Sequence, residues 1–250
     1  HRPLMEKPEL IAKYEAKDGV ESAVNNPIMG AMIETMDDGI GRILARLEDY
    51  GLSDRTIVIF YSDNGGFEQL QAQDPFRGGK AMIWEGGWPG VVEAGSSSDA
   101  LVISDDFFPT ISEIVGEENL SPDIDGLSLM PLLTQAGSLD RDTLYFHYPH
   151  FHHLGFKPAG AIRQGDYKLI EWFEGSIAGE GKAVSLFNLV TDPGETTDIA
   201  EQHPEMAQQM LEKLRAWRKD VGAAEMSINP DYDPERADWR FIDEHGGDSK

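Results

Sequence analysis

The chain has 250 residues, of which 40% are hydrophobic and 26% charged, with 45 Asp and Glu against 21 Lys and Arg and a formal net charge of -24. These are the proportions of a folded chain of one large domain, or of a domain with a smaller one beside it. The acidic excess excludes a partner gripped by neutralising phosphates, so no nucleic acid is expected, and the lack of cysteine excludes disulfides and thiolate chemistry.

In chain order, the first clear element is a helix over Pro27 to Tyr50. Ile28, Met32, Met36, Ile40, Ile43 and Leu47 recur at spacings of three and four, Asn26 offers an N-cap, and Gly51 offers a stop. Thr56-Ile57-Val58-Ile59-Phe60-Tyr61 follows, a short β-branched run of the kind buried on both faces of a parallel sheet. Leu101 to Ser104 reads as another strand and Asp106 to Val115 as a helix, so helices and strands alternate as in an α/β domain. Beyond about residue 140 the pattern changes. Leu144 to His147, Ala161 to Arg163, Tyr167 to Phe173 and Val184 to Asn188 read as antiparallel strands, with Gln164-Gly165-Asp166 as a hairpin turn. The helical period returns over Pro204 to Val221. No uninterrupted apolar run approaches the roughly 20 residues of a membrane span. The chain opens at His1 without a basic-then-apolar leader.

Four groups of residues carry chemistry. Asp63 and Asn64 leave the end of the apolar run ahead of Gly65 and Gly66, and a carboxylate beside an amide oxygen is a hard donor pair for Ca²⁺ or Mg²⁺; an Asx turn is the plain alternative. Arg77-Gly78-Gly79-Lys80 sets two cations around two glycines, a combination that suits a tetrahedral anion, although its glycine spacing is not that of a P-loop. His1-Arg2-Pro3 opens the chain. Finally, the run from Tyr145 to His153 holds four of the seven histidines, including His147, His150 and His152, among aromatic residues that suit either a sugar-stacking edge or simple packing.

Taken in order, these pieces resemble the formylglycine-dependent sulfatases of the arylsulfatase A-like group. The resemblance runs through His1-x-Pro3, Met36-Asp37-Asp38-Gly39-Ile40-Gly41-Arg42, Ser62-Asp63-Asn64-Gly65-Gly66, Arg77-Gly78-Gly79-Lys80, Glu85-Gly86-Gly87 and Trp88-Pro89-Gly90. It continues through Phe108-Pro109-Thr110, Asp125-Gly126-x-Ser128-x-x-Pro131-Leu132-Leu133, Ile162-Arg163-x-Gly165-Asp166-Tyr167-Lys168-Leu169 and Leu186-Phe187-Asn188-Leu189-x-x-Asp192-Pro193-Gly194-Glu195.

The resemblance implies an alkaline-phosphatase-like α/β sandwich, present in part over residues 1-140, followed by a smaller C-terminal antiparallel sheet with its helix over 141-250. It implies a sulfuric ester hydrolase acting on a sulfated carbohydrate or an aryl sulfate ester. Asp63 and Asn64 match metal ligands, usually for calcium; Lys80 matches the lysine on the sulfate; His1 matches the histidine near the leaving oxygen. The His147, His150 and His152 edge is expected to meet the sugar. A periplasmic or secreted parent is also implied.

The family's formylglycine arises from a Cys or Ser in Cys/Ser-x-Pro-x-Arg, and neither that motif nor the two early aspartates of the metal site occurs here. In the family they precede His-x-Pro, so the chain reads as a C-terminal portion of a sulfatase, inactive alone. The apolar stretch that the family carries between Glu-Gly-Gly and Trp-Pro-Gly is also absent, Gly87 running straight into Trp88. A phosphate-ester or phosphonate hydrolase of the same superfamily, or a noncatalytic acidic remnant that binds metal or carbohydrate, are the alternatives.

Overall fold

The computed structural model describes residues 3–17, 26–61, 98–117, 119–151 and 157–231. The chain divides into two compact units, His1–Trp88 and Pro89–Lys250.

The first unit holds a helical hairpin. Helix α1 is Pro8–Glu15 and α2 is Pro27–Asp49. The Asn26 side-chain oxygen accepts from the backbone N–H groups of Ile28 and Met29, satisfying donors that the first turn leaves open. Gly51, at φ +62°, ends the helix in the left-handed conformation that glycine takes without strain. Where α1 crosses α2, the Tyr14 ring lies so close to Gly30 that an added Cβ would stand 2.6 Å from it. Lys13 closes the crossing with a 2.7 Å ion pair to Glu34.

Thr56–Tyr61 departs from expectation. The segment leaves a short 3-10 turn with Thr56 extended, but it joins no strand ladder among the described residues, and Ile57, Val58, Ile59 and Phe60 are exposed. An apolar run becomes a buried strand only when partners pair both its edges.

The second unit begins with an irregular tie. The 3-10 turn Ser104–Asp106 leads into α3, Phe107–Ile114, and α4 is the single turn Met130–Leu133. The expected strand over Leu101 to Ser104 therefore joins no ladder among the described residues: Ile103 is extended and Ser104 already begins the 3-10 turn. Asp106, fully buried, accepts from the Ile103 and Leu127 N–H groups and takes both terminal nitrogens of Arg141 at 2.6 and 2.7 Å. That fork binds α3 to the residues just before the sheet, so both sides of residue 140 belong to one body.

The sheet has four antiparallel strands in order β1-β2-β3-β4: Thr143–Tyr148, Ala159–Gln164, Tyr167–Trp172 and Val184–Asn188. Gly165, at φ +54°, makes the tight turn between β2 and β3. Helix α5, Pro204–Asp220, lays Ala207, Met210, Leu211 and Leu214 on Ile162, Leu169 and Leu186, forming the main core of this unit. Burying such side chains contributes roughly 1.5 to 3 kcal/mol each, so α5 and the sheet hold each other in place.

Candidate functional site

His1, Asp63, Asn64, Lys80 and His152 lie outside the described residues. Among the described residues no group of three or more His, Asp and Glu side chains is placed to hold a metal ion. What the structure does place is the β1 end of the aromatic and histidine run, and the charged framework beneath it.

Strand alternation separates His147 from its neighbours. Tyr145 and His147 face α5, while Phe146 and Tyr148 face the other side of the sheet. Tyr145 stacks on Trp217 with ring centroids 4.9 Å apart and planes 8° from parallel. His147 meets the Phe173 ring at 5.6 Å, its Nε2 lies 2.7 Å from the carbonyl of Ala224, and its Nδ1 is enclosed without a partner among the described residues. A carbonyl only accepts, so Nε2 is the donor in this bond. His147, half-buried, thus packs against Phe173 and the Ala224 carbonyl on the α5 side of the sheet. His150 keeps the open position beyond the strand. It contacts the Tyr148 ring edge-on at 5.5 Å and 84°, beside the exposed Phe151.

Under the sheet lies a charged cluster that sequence reading missed. Glu171 sits at the β3 position facing α5, and Arg215 and Arg218, one turn apart, converge on it. Arg215 donates from Nε and Nη2 to one carboxylate oxygen at 3.0 and 2.6 Å; Arg218 donates to the other at 2.7 Å. Burial alone pushes the Glu171 carboxyl up, but the two guanidinium groups outweigh it and hold the group below its ordinary range. The Arg218 guanidinium also lies over the Phe173 ring at 4.9 Å, and Gly160 leaves the room for it: a Cβ there would stand 3.1 Å from Nη1. The signal was present as a lone Glu inside an apolar strand and two arginines at helical spacing.

Two more motif segments prove architectural. Glu195, in the left-handed region at φ 50°, points back to the buried Lys168 with a 2.6 Å ion pair. Asp192 accepts from the backbone of Thr196 and Thr197 and from the Thr196 hydroxyl, fixing the Asp192-Pro193-Gly194-Glu195 turn that makes this return. Asp198 accepts from the Leu186 and Ala200 N–H groups and pairs with Lys182. On the sheet face away from α5, Arg163 has its Nε enclosed without an acceptor among the described residues, and burial lowers the pKa of its guanidinium against the opposing pull of Asp166.

With this geometry in hand, the chain can be set beside known proteins. Residues 1–117 match the sulfatase family model, and residues 82–220 match that of the C-terminal region of N-sulphoglucosamine sulphohydrolase. A sulfatase of Formosa agariphila is 32% identical over 249 aligned residues, which cover 87% of this chain and 44% of that protein. Ps i-CgsB, solved in complex with k-i-k-neocarrahexaose, shares the fold at TM-score 0.71 and 22% identity, over 96% of this chain and 52% of that one. BT4656, solved with its substrate D-glucosamine-2-N,6-O-disulfate, matches at TM-score 0.62 and 25% identity, over 80% of this chain and 41% of that one. The fold is therefore the α/β fold of the sulfatases, present in part, with its antiparallel sheet. The chain spans about half the length of the relatives it matches.

Proposed function

Because this chain belongs to the sulfatase family, we propose that it supplies the later half of an enzyme that hydrolyses sulfate esters on a sulfated carbohydrate. One observation carries the reading: the two family models, overlapping over residues 82–117, together match residues 1 to 220, over motifs that stand in the family's order. The sulfated sugar bound by BT4656 supports the substrate class. We place the whole enzyme in a periplasmic or secreted setting, as the family resemblance implies.

In this reading the oxygens of Asp63 and Asn64 would hold a divalent cation, Ca²⁺ in the first instance and Mg²⁺ in the second, together with the two aspartates that the family carries ahead of its His-x-Pro. When bound, the cation supplies fixed positive charge beside the sulfuryl oxygens. Lys80 donates to a sulfuryl oxygen, and its ammonium offsets charge that grows as the ester bond breaks. His1, protonated, gives its proton to the departing sugar oxygen. The attacking group would be a hydroxyl of hydrated formylglycine, which the family makes from a Cys or Ser in a Cys/Ser-x-Pro-x-Arg motif that these 250 residues do not contain, so the 250 residues alone are expected to show no turnover. His150 and His152, next to the Tyr148 and Phe151 rings, contact the sugar. A phosphate-ester or phosphonate hydrolase would use the same cation and lysine, and substrate choice separates the two.

The test is a chimera in which the part of the Formosa agariphila sulfatase outside the matched region precedes His1, matured to carry formylglycine. It is expected to hydrolyse an aryl sulfate and a sulfated oligosaccharide, to lose both activities on chelation, and to leave a phosphonate monoester nearly untouched. Faster turnover of the phosphonate would overturn the reading. Within the chimera, His150→Ala should lower activity on the oligosaccharide about tenfold, the equivalent of one lost contact of about 1.4 kcal/mol, while aryl sulfate turnover and Tm stay level.

A further inference from the structure

The end of the sheet that carries His150 also carries a charged pair that the proposed chemistry does not use. Tyr148, Ala159 and Trp172 stand opposite one another and close this end of β1, β2 and β3. His150, Lys157 and Glu174 each lie two residues outside that row. Neighbouring strands run roughly 4.8 Å apart, so their backbones leave the sheet over a width of about 10 Å. The Lys157 ammonium meets the Glu174 carboxylate at 2.5 Å, and the two side chains are 58% and 28% exposed. The segment behind Glu174 is fixed at both feet. Its π-helical turn Glu174–Ala178 ends at Gly179 in the left-handed conformation, and the Glu180 N–H donates to the Glu174 carbonyl. At the other foot Lys182 pairs with Asp198. Turns of this kind are uncommon and recur at functional sites, and loops held on a rigid sheet are where binding residues collect.

We propose that Lys157 and Glu174 form a second sugar subsite, which takes an uncharged ring next to the sulfated one through two neighbouring hydroxyls. One hydroxyl accepts from the ammonium and the other donates to the carboxylate. The subsite rests on the sulfated-carbohydrate reading above and gives that substrate a preferred chain length. Charge decides between an uncharged ring and a second sulfate. Glu174 already neutralises Lys157 in a chain of net charge -24, so this pair holds no unbalanced cation for another anion. A hydroxyl both donates and accepts, and an ammonium beside a carboxylate matches two of them. On the β1 side His150 and the Phe151 ring, 66% exposed, offer the flat surface against which a sugar ring packs.

Two measurements test it. In the first, an unsulfated, uncharged hexasaccharide of galactose is titrated into the 250-residue chain and followed by amide chemical shifts. Saturable shifts are expected at His150, Lys157 and Glu174 to Ala178; Lys157→Met should abolish them and Lys157→Arg should keep them. In the second, the matured chimera is assayed on a sulfated hexasaccharide and on the matching sulfated monosaccharide. Lys157→Met and Glu174→Gln should each raise KM for the hexasaccharide about tenfold, the equivalent of one lost contact. The kcat, the constants for the monosaccharide and Tm should stay level, because a pair this exposed contributes little to stability. The proposal is overturned if the titration moves none of these amides, if Lys157→Met shifts as the parent does, or if KM for the hexasaccharide is unchanged. Equal losses on both substrates, or a lower Tm, overturn it as well and make the pair a structural one. The titration needs no turnover, so a chimera without sulfatase activity sinks the sulfatase reading while the subsite is judged on binding.

Discussion

Glu171 is the residue on which the sheet unit is most sensitive. Its carboxylate is 2% exposed and the Arg218 guanidinium 7%, so removing one charge strands the other in the interior. Glu171→Ala should therefore cost about 3 to 5 kcal/mol in urea denaturation. Arg215, half exposed, shares the carboxylate with solvent at hand, and Arg215→Ala should cost about 1 kcal/mol or less. A loss for Glu171→Ala as small as that for Arg215→Ala would mean that water reaches the cluster. Asp106, Glu171 and Asp198 share one electrostatic pattern: burial pushes each carboxyl up, and partners that outweigh it hold each below its ordinary value of 3.8 or 4.5. On acidification the unfolded chain takes up protons at these positions first. The stability they contribute is thus complete above about pH 5 and falls away below about pH 4, as the pH passes down through the folded-state values. Urea midpoints measured at pH 7, 5 and 3 should be level between the first two and drop at the third, and Glu171→Gln should flatten that drop.

At the scale of elements, the four strands of the antiparallel sheet and the two long helices were legible because their apolar periods leave little choice, whereas Thr56–Tyr61 and Leu101–Ser104, equally apolar, join no ladder among the described residues. Val184–Asn188 is found where expected, and α2 and α5 each end one residue early. What escaped sequence reading depends on neighbours distant in the chain. α1 buries no residue of its own and is held by Tyr14 against Gly30 and by Lys13 on Glu34. The π-helical turn Glu174–Ala178 follows β3 with no signal in the apolar pattern, and it packs so tightly that a Cβ on Gly175 would stand 2.1 Å from the Lys182 carbonyl. Of the candidate site, the residue types and their order were legible, and the alternation that turns His147 inward was implicit in β1; its Ala224 partner, 77 residues away, was not. His147→Ala should accordingly lower Tm with no selective effect on oligosaccharide turnover, the reverse of His150→Ala. Gly126 shows how a motif residue acquires a structural reason, since an added Cβ would meet the Asp105 carbonyl at 2.1 Å. Backbone cannot yield as a side chain does, so Gly126→Ala should cost roughly 2 kcal/mol or more and loosen the Asp106–Arg141 fork, which thermal denaturation beside Gly137→Ala as the tolerant control would read.

For the whole molecule, the charge of -24 poses a problem for any anionic substrate, because the far field repels it. Screening within roughly 10 Å at moderate salt leaves the outcome to local cations, and Lys80 is the one that the proposed function puts on the sulfate. The central claim is that this chain brings catalytic residues to a sulfate ester, so the most direct measurement is steady-state kinetics of the matured chimera and its Lys80→Ala and His1→Ala variants on one aryl sulfate. Groups that act on charge growing in the transition state should lower kcat by about 100-fold or more and leave KM within a few-fold. Variants that keep the parent kcat, or that change KM alone, would contradict the claim and leave the chain a binding remnant of the family.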